Sequence, residues 1–187
     1  MVRETNRFFI LTGGPGSGKS SLIDAVARLG YARTVEAGRA IIQDQVDIGG
    51  KALPWADRAL FAEMMLSWEM RSYRSAQEQP GLVFFDRGVP DVMAYLRLVD
   101  LPVTAHITNA AAEFRYNRSV FIAPPWPEIF HPDRERKQDF HEAVRTYESL
   151  AFTYKELGYE LVELPCVSIE ERVQFVLRKI KEAGFQG

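Results

Sequence analysis

A chain of 187 residues, 47% of them hydrophobic, can bury one substantial core and leaves little for a second, so a single domain over residues 1–187 is expected. Its 23 Lys and Arg stand against 25 Asp and Glu, a formal net charge of −2 that supplies no broad basic surface for nucleic acid. Cys166 has no second cysteine to pair with, the first six residues lack the layout of a secretory signal, and no apolar run approaches the ~20 residues that span a bilayer. The expectation is a cytoplasmic protein with neither a membrane nor a nucleic-acid partner.

In chain order, residues 8–12 are aromatic and β-branched and predict a buried strand. Residues 13–20 then read Gly-Gly-Pro-Gly-Ser-Gly-Lys-Ser, the phosphate-loop pattern G-x-x-x-x-G-K-[ST]. After the loop, Leu22, Ile23, Val26 and Leu29 recur at helical spacing, and Gly30 is a natural stop. Strand, loop and helix in that order separate a working phosphate loop from a chance glycine-rich turn. Residues 31–36 predict a second short strand, 40–46 a helix, and Leu53-Pro54-Trp55 opens a long helical pattern with Phe61, Met64, Met65 and Trp68 on one face. That pattern ends at Gln79-Pro80-Gly81. Residues 82–86 predict a third strand, 120–122 a fourth and 159–164 a fifth, followed by a helix over 168–183 that Ser168 and Glu171 open as a capping box. Short apolar strands between helices imply an α/β fold, a parallel sheet with helices on both faces, and ligands at the carboxyl ends of the strands.

The residue types in the loop follow from its chemistry. Glycines at 13, 16 and 18 let backbone N–H groups close on phosphate oxygens without a Cβ in the way, so Gly13, Gly14, Pro15, Gly16, Ser17, Gly18, Lys19, Ser20 and Ser21 are the expected nucleotide-binding residues. Lys19 reaches the β- and γ-phosphates, Ser20 ligates Mg²⁺, and the helix start adds its positive end. ATP or GTP with Mg²⁺ is the cofactor this predicts.

At the third strand's end stand Asp86, Arg87 and Gly88, with Asp91 shortly after. Asp86 suits a metal-holding or proton-accepting carboxylate, while Asp91, behind Pro90, suits a helix cap. Arg87 fits either a clamp on the acceptor or a pair with Asp91. Glu36 and Arg39, at the second strand's end, offer an acceptor both charges, or form a surface ion pair. Between the fourth and fifth strands, residues 131–139 are dense in charge, and Arg134 and Arg136 fit a mobile lid, near 124–141, that neutralises a transferred phosphoryl group. His131 and His141 read as surface residues, and no Cys/His spacing suits a metal.

The phosphate loop, the Asp-Arg-Gly run through Tyr95, Ala123-Pro124-Pro125-Trp126, the charged run with Phe140, and Leu157-Gly158-Tyr159-Glu160-Leu161 resemble small bacterial P-loop ATPase/kinase-like proteins. These are related to ribosylnicotinamide kinase domains and to nucleoside and nucleotide kinases. The resemblance implies a three-layer P-loop NTPase sandwich with a five-stranded sheet, ATP·Mg²⁺ bound by the loop, a metal or base role for Asp86, and base contacts from residues 166–168. Thymidylate kinases, by contrast, carry an aromatic or larger residue where Gly88 stands, and Gly88 is expected to open the acceptor pocket.

These readings make the chain a kinase of a small metabolite: a nucleoside, nucleotide or pyridine riboside. A nucleotide-driven switch or ATPase without an acceptor is the rival. No Asn-Lys-x-Asp segment supports a regulatory GTPase, and the length is short for the two-part domain of a ring-forming mechanical ATPase. The apolar face of the long helix is either core or a homodimer surface.

Overall fold

The computed structural model describes residues 3–4, 6–130 and 139–185. Arg134, Arg136 and His131 therefore lie outside the described residues, as does the 131–138 part of the expected lid. A two-residue strand β1 (Arg3–Glu4) precedes β2 (Phe8–Gly13), the phosphate loop and α1 (Lys19–Arg28). Then come β3 (Ala32–Arg33), α2 (Ala37–Asp47), α3 (Arg58–Gln77), β4 (Val83–Asp86) and α4 (Val89–Leu98). The remainder is α5 (Ala105–Glu113), β5 (Phe114–Arg115), β6 (Ser119–Ala123), a 3-10 turn at Pro127–Ile129, α6 (Phe140–Glu156), β7 (Glu160–Glu163) and α7 (Ile169–Glu182).

Five strands form one parallel sheet in the order β3-β4-β2-β6-β7, and β1 pairs with β5 apart from it. Successive side chains of a strand point to opposite faces, and β2 shows the consequence. Phe8 and Ile10 pack with Phe85, Tyr73 and Leu150 on the face that α3, α4, α5 and α6 cover. Phe9 and Leu11 pack with Leu22, Val26, Val173 and Val176 on the face that α1 and α7 cover. Helices on both sides of a buried parallel sheet make the three-layer arrangement of P-loop nucleotide kinases.

The second strand is shorter than its sequence suggests. Residues 34–36 leave the ladder after Thr34 N donates to Phe84 O at 2.9 Å, and α2 begins at Ala37 with Glu36 as its N-cap residue. Glu36 and Arg39 thus belong to a helix start. The apolar face of α3 turns inward: Phe61, Met64, Met65 and Trp68 pack with Ile41, Ile42 and Leu53 of the α2 region. Helices α5 and α6 had no counterpart in the reading of the sequence. Among the described residues no helix is long and apolar enough to cross a bilayer.

Candidate functional site

The β2–α1 loop is shaped by left-handed backbone. Gly16 has φ +68° and Gly18 φ +75°, a region that L side chains enter only at a cost of about 1–2 kcal/mol. Ser17 Oγ donates to Gly14 O at 2.8 Å and tightens the turn. Lys19 opens α1, is 6% exposed, and holds its Nζ 3.7 Å from Asp86 Oδ1. Residues 14–21 line a cleft together with Glu36, Arg39 and Arg87.

Asp86 is placed by sheet register: β4 lies beside β2 with Leu11 opposite Asp86, so the carboxylate emerges at the phosphate loop's base. Its N–H donates to Thr34 Oγ1 at 3.1 Å, and among the described residues its Oδ1 has no hydrogen-bond donor. Burial raises its pKa, with Lys19 opposing. A buried carboxylate oxygen without a donor, an exposed Ser20 hydroxyl at the loop's end and an all-oxygen donor set fit a hard cation such as Mg²⁺. No group of three or more His, Cys, Asp or Glu among the described residues forms a self-contained metal site, so a cation here would need the oxygens of a bound phosphate.

Arg87 follows in a left-handed conformation, φ +74°, rare for a residue with a Cβ. The conformation aims its guanidinium back along the cleft, where Nε lies 3.4 Å from Glu36 Oε1 and Nη1 donates to Asp91 Oδ1 at 3.2 Å. Burial works against its charge, but Glu36, Asp91 and Asp86 outweigh burial and hold its pKa above the ordinary value. Of the two roles open to Arg87, the structure shows the pair with Asp91, joined by Glu36. Asp91 is the hub of this turn. Its Oδ2 accepts from Gly88 N at 3.0 Å and from the Tyr154 hydroxyl, and its Oδ1 accepts from Thr12 Oγ1 at 2.5 Å. The capping role read from the sequence is present at Asp91.

Gly88 corrects an expectation. It lines neither the phosphate cleft nor the apolar cavity that adjoins it at Glu36 and Arg87; a Cβ there would stand 2.8 Å from Ile10 Cδ1 and 3.0 Å from Tyr116 Cζ. The glycine lets the β4–α4 turn sit against the sheet and does not enlarge a pocket.

A second cavity, of about 280 Å³, opens beside the phosphate cleft and shares Pro15, Glu36 and Arg87 with it. Its walls are Ile42, Phe61, Met65, Val92 and Leu150, with Trp55 and Tyr95 among them, and its polar floor is Glu36, Glu69, Arg87 and Asp91. The Tyr95 hydroxyl is buried with no hydrogen-bond partner among the described residues. Glu69 is the residue that sequence reasoning missed. It is 3% exposed, and burial first, then Asp91, Asp86 and Glu36, push its pKa well above the usual carboxylate range against the pull of Arg87. The signal was available: Glu69 stands four residues after Met65 and three after Leu66, on the inward stripe of α3. Arg39, Ser20 and Ser21 are exposed at the phosphate cleft, and His141 lies on the surface of α6. Cys166, in the loop after β7, is exposed.

A parallel sheet with a phosphate loop after β2 and an Asp-Arg turn after the adjacent strand makes a P-loop fold of nucleotide-kinase type. Residues 8–172 match the sequence profile of a family described as an AAA domain, and the chain belongs to that family. Among curated proteins no sequence relative matches. Solved structures do. The NadR protein in complex with NR superposes with a TM-score of 0.74 at 16% identity, covering 97% of this chain and 52% of that one. NadR in complex with NAD and AMP-PNP gives 0.71 at 15%, covering 97% and 51%. Deoxyadenosine kinase from M. mycoides, with the products dCMP and dCDP, gives 0.60 at 14%, covering 94% and 99%. The chain thus spans about half the length of NadR and nearly all of the deoxyadenosine kinase. At these identities the likeness is one of fold.

Proposed function

We propose that the chain is an ATP- and Mg²⁺-dependent phosphotransferase that phosphorylates a hydroxyl of a small metabolite, a nucleoside or pyridine riboside. The observation that carries this reading is the junction of two cavities at Glu36 and Arg87. A nucleotide switch needs the phosphate cleft alone, whereas a kinase needs a second pocket opening onto the γ-phosphate.

In this reading residues 13–21 and Lys19 hold the β- and γ-phosphates, and Ser20 and Asp86 hold Mg²⁺ directly or through water. The cation supplies charge neutralisation on the transferred group. Asp86 or Glu36 accepts the acceptor's proton. Glu36 is favoured, because it faces both cavities while Asp86 faces Lys19 and lines neither. Arg39 and Arg87 flank the acceptor's reacting end, with Arg87 held by Glu36 and Asp91. Arg134 and Arg136 remain proposed as lid cations. At the second cavity Arg87 is already paired with Glu36 and Asp91, two carboxylates against one guanidinium, which disfavours an acceptor whose buried part is a phosphate there. The nucleoside and pyridine riboside readings are therefore preferred to the nucleotide one. Structural neighbours that are kinases support the class.

The test is transfer from γ-labelled ATP with Mg²⁺ to a panel of nucleosides, nucleoside monophosphates and nicotinamide riboside. The reading expects label on a non-phosphorylated riboside and its loss in Lys19→Met and Asp86→Ala. Saturable nucleotide binding with no labelled acceptor would move the assignment to the switch or ATPase.

A further inference from the structure

Arg172, in the first turn of α7, is fully buried, although nothing in the proposed chemistry uses it. Its Nη1 donates to the carbonyl of Ser17 at 2.9 Å, across a separation of 155 residues, and its Nε donates to the carbonyl of Pro165 at 2.8 Å. The guanidinium lies 5.1 Å from the centre of the Trp126 ring. Its Nη2 is buried and has no hydrogen-bond acceptor among the described residues. A Cβ on Gly18 would come within 3.0 Å of Nη1, so the fork sits directly behind the loop. Its place is fixed from the other side by the Ser168–Glu171 capping box, which starts α7 four residues earlier.

A loop that binds anions must turn its N–H groups toward the ligand and its carbonyls away. Such an inverted peptide leaves a carbonyl pointing into protein, where it needs a donor. Arg172 is that donor at Ser17. Its charge stands behind the loop with no carboxylate within ion-pair distance among the described residues, so its field adds to that of Lys19 at the phosphates.

We infer that Arg172 is a positioning residue of the phosphate site: it fixes the Ser17 peptide in its anion-binding orientation and adds a buried positive charge behind the loop. The inference rests on the reading of residues 13–20 as a nucleotide site and not on the identity of the acceptor. It predicts an effect on binding of the phosphate chain and not of the base, because the fork's contact is with the Ser17 carbonyl of the loop.

The experiment measures the affinity of Mg·ATP and of Mg with inorganic triphosphate by titration calorimetry, with the melting temperature of the nucleotide-free protein, for wild type, Arg172→Ala and Arg172→Lys. Arg172→Ala is expected to weaken both ligands to a similar extent, by about ten- to a hundredfold, the equivalent of one to two lost charge-assisted hydrogen bonds. Arg172→Lys keeps the charge but cannot span both carbonyls, and is expected to recover part of that loss. It also serves if the alanine variant does not fold. Equal affinities in wild type and the folded variants would overturn the inference, as would a loss for ATP with triphosphate binding unchanged, which would place Arg172 at the base. A wild type that binds neither ligand would overturn the nucleotide site itself, and this inference with it.

Discussion

Lys19 is 6% exposed, and a buried ammonium is tolerated only beside counter-charge, which Asp86 supplies from 3.7 Å. The pair couples the anion site to the acid that ends β4. Replacing Lys19 with methionine removes the cation aimed at the phosphates and leaves Asp86 facing an apolar chain. Turnover in Lys19→Met is expected to fall by at least about a hundredfold, the scale for losing one donor to the transferred charge. Kinetics at saturating ATP would show this, and turnover within about threefold of wild type would remove Lys19 from the mechanism. Glu69 gives a prediction with a pH signature. Its pKa is raised in the fold, so between the unfolded value near 4.5 and the folded value the native state binds more protons than the unfolded one. Stability is then lost as pH rises through that window. Glu69→Gln removes the ionisation and is expected to melt higher than wild type at neutral pH, the advantage shrinking as pH falls toward 4.5. A constant difference across pH would mean that Glu69 is not held neutral by the fold.

Among the elements, α7 is the one whose start was fully written in the sequence. Ser168 Oγ accepts from Glu171 N at 3.3 Å, and Glu171 Oε2 accepts from Ser168 N at 3.1 Å. Ser168→Ala is expected to cost about 1 kcal/mol, seen as a lower midpoint in denaturant with an unchanged slope. No change would mean that α7 is held by packing of Val173, Val176 and Ile180 alone. The long helix was legible from apolar residues at helical spacing, and β2, β4 and β6 from short runs of aromatic and β-branched residues bounded by turn signals. Other elements were hidden. The charged run ahead of α6 masks its start, although Asp139 accepts from Glu142 N at 2.8 Å as an ordinary N-cap. Helix α5 is short and contains Thr108 and Asn109, weak helix formers that packing of Ile107, Ala110 and Ala111 overrides. Strand β3 shrank because it is a sheet edge, where only Ala32 and Arg33 pair with β4.

For the whole molecule, the decisive fact is the order β3-β4-β2-β6-β7. It sets β4 beside β2, so that the phosphate loop, Asp86 and Arg87 rise from adjacent strand ends, and Glu36 reaches them from the start of α2. The motif residues were readable one by one, but the junction of two cavities was not, because Glu69 and Tyr95 come from helices whose docking depends on the whole core. Gly88 marks the same limit: only the neighbouring Ile10 and Tyr116 reveal that it serves close packing. The measurement that tests the central claim most directly is the steady rate of γ-phosphate loss from Mg·ATP, taken with and without each non-phosphorylated riboside. The account predicts that one of them raises the rate by at least about a hundredfold over water, since positioning an acceptor is worth several kcal/mol, and that the phosphate is recovered on that acceptor. A rate indifferent to every acceptor, with all phosphate released to water, would contradict it.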